Sequence, residues 1–210
     1  MGWYYLSSDG RRKVSFNWNV IFYRTSRSHG FAIEPSVTLR PTASFSAEFG
    51  HLFDHGLNDA QWVTSEIRDG STHYVFGRLD QHTSSMTIRA NYTITPNLSV
   101  QVYAQPFVSS GDYERFKELV NGRAKDYDDR YAPYEYRPLV PPDFKALSFR
   151  TTNVMRWEYK PGSALFVVWQ QAAEGPGQVN GFHYGQDFSN VFSTPASNAF
   201  LVKLAYWLNP

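Results

Sequence analysis

In 210 residues the chain carries 20 Lys plus Arg against 19 Asp plus Glu, so no bulk charge draws it to nucleic acid, which is not an expected partner. The absence of cysteine excludes a disulfide framework, a thiolate metal site and a cysteine nucleophile. Aromatic residues reach 17%, with 14 Tyr, 16 Phe and 6 Trp, yet mean hydropathy is only -0.45 and no run nears 18 apolar residues. A membrane could therefore be crossed only by strands, half of whose residues stay polar.

Gly2 to Ser8 reads as the tail of a strand and Asp9-Gly10-Arg11-Arg12 as a tight turn. The opening residues lack the basic start and apolar run of a secretory signal. From Val14, the apolar positions Phe16, Trp18, Val20 and Phe22 alternate with Ser15, Asn17 and Asn19, the period of a strand with unlike faces. Phe31 to Leu39 is a strand in which Pro35 predicts a bulge or an irregular edge. Arg40-Pro41-Thr42 is a turn, Ala43 to Phe49 a strand, and Asp54 to Ala60 a polar loop. Trp62 to Ile67 and His73 to Leu79 form a weaker pair about the turn Asp69-Gly70-Ser71.

Met86 to Phe107 is the clearest hairpin. Met86, Ile88, Ala90, Tyr92 and Ile94 alternate with Thr87, Arg89, Asn91 and Thr93, and after Thr95-Pro96-Asn97 the pattern resumes at Leu98, Val100, Val102 and Ala104. Each arm of about ten residues, tilted by about 40–45°, rises roughly 24 Å, the height of the apolar band of an outer-membrane barrel. Val108 to Lys145 is one long irregular segment, with about two helical turns expected over Asp112 to Leu119. Alternation returns from Leu147 to Tyr159. Lys160-Pro161-Gly162-Ser163 is a turn, Ala164 to Gln171 a strand, Ala172 to Ser197 a polar loop, and Asn198 to Leu208 the last strand.

Counted back from the last strand, the turns at 160–162, 95–97, 69–71, 40–42 and 9–10 fall on one rim and both long loops on the other, the asymmetry of short periplasmic turns and long external loops. Glu48, Arg89, Arg150, Arg156, Glu158 and Lys203 lie on the polar sides of their strands and are the candidates for facing a wet lumen. The expected fold is all-β: an antiparallel up-and-down transmembrane β-barrel of about 10–12 strands, with a short helix in one long external loop. A soluble β-sandwich sorts its charges the same way and stands as the alternative, a binding module for carbohydrate. Roughly eleven strands, where bacterial single-chain barrels normally have an even number, suggest that residues 1–210 are one domain forming the carboxy-terminal part of a longer protein.

The run Asn91-Tyr92-Thr93-Ile94-Thr95-Pro96-Asn97-Leu98-Ser99 to Tyr103-Ala104-Gln105-Pro106-Phe107 is joined by Ser110-Gly111-Asp112-Tyr113 and Arg123-Ala124-Lys125-Asp126-Tyr127-Asp128. With Arg156-Trp157-Glu158-Tyr159-Lys160-Pro161-Gly162-Ser163 and Leu201 to Trp207, these segments resemble the carboxy-terminal region of bacterial proteins carrying domain of unknown function 5916, from about His73 onward. The resemblance implies a β-rich outer-membrane region that, in long members, follows a module similar to carbohydrate-binding family 9. That module is not in this chain, and no catalytic residue is carried over.

His51, Asp54 and His55 bring imidazole and carboxylate together, a set suited to zinc or copper, but the context reads as a strand running into a loop and no metal is expected. Asp126, Asp128 and Asp129 have calcium-like spacing without the glycine and distal glutamate of a calcium loop. With Tyr131 and Tyr134 they are external-loop candidates. No nucleophile elbow occurs, so neither catalysis nor a cofactor is expected. The expected partners are outer-membrane lipid, the barrel-assembly machinery, and a carbohydrate or other small molecule; the expected location is the cell outer membrane.

Overall fold

The computed structural model describes residues 1–208. Ten strands form one antiparallel sheet: β1 (Gly2–Ser7), β2 (Val14–Arg24), β3 (His29–Thr42), β4 (Phe45–Arg68), β5 (Ser71–Thr95), β6 (Leu98–Leu119), β7 (Tyr131–Pro133), β8 (Phe144–Lys160), β9 (Ser163–Pro176) and β10 (Ala196–Ala205). Neighbours follow chain order, with β8 beside β6 and the short β7 paired to the end of β6. The sheet is not closed: β1 and β10 are its two ends. It is also one layer, not the two packed sheets of a sandwich.

The Met86 to Phe107 hairpin forms about its Pro-Asn turn, but its arms run much further than the apolar alternation. β4 and β5 have 24 and 25 residues and stay paired from Phe45↔Tyr92 to Arg68↔Ser71. The expected loop at Asp54 to Ala60 and the gap between the expected strands at Leu79 and Met86 are strand, so four expected strands become two. The pattern fails there because polar side chains stand on both faces, as with Asp54 and His55, while the backbone ladder continues. The turn at Asp69 and Gly70, both at positive φ, therefore sits on the rim opposite the Pro-Asn turn. The near rim carries only short connections, at 8–13, 43–44, 96–97 and 161–162.

Three further expectations change. Asp112 to Leu119 is strand, because pairing such as Val75↔Glu118 overrides a modest helix propensity, with a register shift and Arg115 at φ 51 marking the irregularity. The irregular part of that segment narrows to 120–143, broken by one 3-10 turn at Asp128–Arg130 and the short β7. The helix lies in the other long connection: α1 (Tyr184–Ser193). Pro35 stays inside β3, opposite Trp18, and the ladder to β4 skips from Ile33↔Phe53 to Ser36↔Gly50 where proline has no N–H to give.

The two faces differ in curvature and chemistry. One hollow of about 600 Å³ is lined together by Trp3 of β1, Asn17 of β2, Glu34 of β3, Glu48 of β4 and Arg89 of β5, so this polar face is the inside of the sheet's curl. The outer face carries the apolar set, with Trp18 45%, Phe49 48%, Tyr92 47% and Val202 71% exposed. Few apolar side chains are buried among the described residues, nine besides Pro106. Four of them, Val108, Leu147, Phe188 and Val191, form a cluster where α1 lies against β6 and β8 on the outer face.

Candidate functional site

The inner face gathers the charged residues. Glu48 and Arg89 are register partners on β4 and β5, their charged ends 3.9 Å apart, and Arg89 lies 5.5 Å above the ring of Tyr103. Both are well hydrated, so the pair contributes at most about 1 kcal/mol to stability. Trp3, Tyr5, Asn17, Asn19 and Glu34 complete the same hollow. Aromatic faces, amides and carboxylates of this kind can hold a polar solute through stacking and hydrogen bonds.

Further round the curl, Arg150 pairs with Glu174, and Arg156 donates to Glu158 at 2.7 Å. Glu158 also accepts the Gly162 N–H at 3.2 Å, tying the lower turn. Lys203 lies on β10 opposite Phe166. All six residues alternate onto the inner face. Glu48 meets Arg89 and Arg156 meets Glu158, whereas Lys203 joins neither pair.

The external-loop candidates are mostly fastenings. Tyr127 donates to Asp59 at 2.6 Å, and Lys117 reaches the same carboxylate at 2.7 Å. Burial alone would raise the Asp59 pKa; the bonds from Lys117 and Tyr127 and the charges of Lys117 and Arg27 outweigh it and hold the carboxyl below its ordinary value. Burial, then the Asp59 carboxylate, push the Tyr127 hydroxyl well up. Arg27 sits 4.6 Å over the Tyr127 ring and pairs with Asp128. Tyr131 packs on Phe76 and Tyr127. Tyr134 donates to Glu66 and lies under Arg68; part-burial, then Glu66, push its hydroxyl up to about 12. Asp126 and Asp129 remain exposed, with Asp128 committed to Arg27.

The His51, Asp54, His55 trio is split by strand alternation: the two histidines face outward and Asp54 inward. His51 Nε2 lies 2.8 Å from Ser84 Oγ. Ser84 is fully buried and also reaches the Leu52 carbonyl at 3.2 Å. Two groupings had no spacing signal in the chain. Lys145 and Asp187 form a buried pair at 2.8 Å, joined by Asn180. His55, Asp80 and His82 meet on the outer face, a meeting visible only once β4 and β5 are known to be single long strands.

No curated protein and no solved structure matches this chain. The family described as Domain of unknown function (DUF5916) matches residues 1–209, well beyond the part from His73 onward that carried the resemblance. The chain belongs to the DUF5916 family.

Proposed function

We propose that this chain is the wall of a β-barrel in the cell outer membrane, acting as a pore, transporter or surface anchor, with a polar lumen suited to carbohydrate or another small polar solute. The observation that carries the reading is the sorting of the two faces. Large apolar side chains stand out on the convex face while Glu48, Arg89, Arg150, Arg156, Glu158 and Lys203 share the concave one, the reverse of what water outside the curl would favour. A belt of roughly 25 Å needs about ten tilted residues per strand, so β4, β5 and β6 extend well past it toward the rim that holds the long loops. Further strands pairing with β1 and β10 would complete the curl, since unpaired sheet edges are otherwise sites of aggregation. Barrel-assembly machinery is the partner this insertion implies, and no catalysis is proposed.

Extraction tests the reading. A barrel partitions into detergent from outer-membrane fractions and migrates faster on a gel before boiling than after. A chain that purifies from buffer alone as a monomer, with migration indifferent to heat, would defeat it. Reconstitution in a planar bilayer then separates a conducting pore from a silent anchor.

A further inference from the structure

We infer that His55, Asp80 and His82 form a binding site for a divalent transition-metal ion such as Zn²⁺ on the outer face above the apolar belt. The site follows from the long β4–β5 ladder. His55 and His82 are direct register partners, and Asp80 lies two residues before His82 and so on the same face. Their donor atoms all fall within 4.8 Å of one another, with His55 Nε2 2.8 Å and His82 Nδ1 3.7 Å from Asp80 Oδ1. Tetrahedral zinc with bonds of about 2.0–2.2 Å needs donors about 3.4 Å apart, so ligation requires the two stacked rings to turn out of their parallel arrangement until both nitrogens point at one ion.

The surroundings favour a cation. The two imidazoles stack at 4.1 Å, which brings two nitrogen donors together on one face. Asp112 stands opposite Asp80 on β6 and adds a second carboxylate beside the trio. The nearby Lys145 is occupied by Asp187 and Asn180. Phe182 stacks on the His82 ring and Phe31 meets His55 edge-on, giving the site apolar walls. Three nitrogen and oxygen ligands leave a fourth position open to water or Asp112.

Untagged protein refolded in detergent, titrated with Zn²⁺ by calorimetry and with Co²⁺ by visible absorption, tests the inference. The expected result is one ion per chain at micromolar Kd or tighter, with tetrahedral Co²⁺ bands. H55N and H82N should each weaken binding at least tenfold, while H51N, a histidine outside the trio, leaves it unchanged. Absence of saturable binding to the unaltered chain by about 100 μM would overturn the site, as would equal weakening by H51N. The unaltered chain's own titration decides the matter if a variant fails to refold.

Discussion

Among single residues, Lys145 and Asp187 have the largest leverage. Their side chains are 1% and 3% exposed, so neither charge can turn to water when its partner is lost. The pair fastens the start of α1 to β8, and Asp187 also accepts the His183 N–H at 2.8 Å. Removing one partner leaves an uncompensated buried charge, a loss of about 3–5 kcal/mol, whereas replacing both with apolar groups can be neutral. K145M should therefore free residues 177–195, seen as faster limited proteolysis and hydrogen exchange in that segment. The double change K145M/D187L should restore most of the protection. Unchanged proteolysis in K145M would mean that the apolar contacts of Phe188 and Val191 hold α1 by themselves.

Legibility in the sequence follows the chemistry of the individual strands. Where one face is apolar and the other polar, as from Met86 to Ile94, alternation reveals both the strand and its faces, and the inner-face charges were placed by that pattern alone. Between Asp54 and Ala60 both faces carry polar groups, so the same backbone ladder leaves no periodic trace and reads as loop. The helix escaped for a related reason: Tyr184, Phe188 and Val191 make a short apolar stripe within a Gly- and Asn-rich stretch that resembles a turn. The consequence is testable because the natural chain has no cysteine. Ala47 and Ala90 are partners across β4 and β5, whereas four shorter strands in sequence order would keep them apart. In A47C/A90C a disulfide should form on mild oxidation, since directly opposed strand positions lie within its span. A47C paired with Cys at Tyr92, shifted by one same-face position, should cross-link far less. Equal yields would argue for a mobile register.

For the whole molecule, the decisive quantity is the solvent of the convex face. Ile88 and Thr87 are neighbours at the same height on β5, Ile88 outward and 40% exposed, Thr87 inward and lining the hollow with Arg89. If water bathes both sides, arginine at Ile88 is an ordinary surface change, within about 0.5 kcal/mol of neutral. If lipid covers the convex side, arginine near the belt's midplane costs about 2–4 kcal/mol, while arginine at Thr87 stays in the wet interior and costs little. I88R and T87R refolded into lipid vesicles and unfolded in urea should thus separate, with the midpoint lowered in I88R alone. The comparison is insensitive to loss of β propensity, since both positions share one strand and its pairing. Equal stability of the two variants would remove the lipid from the convex face and with it the reading of the inner charges as the wall of a lumen.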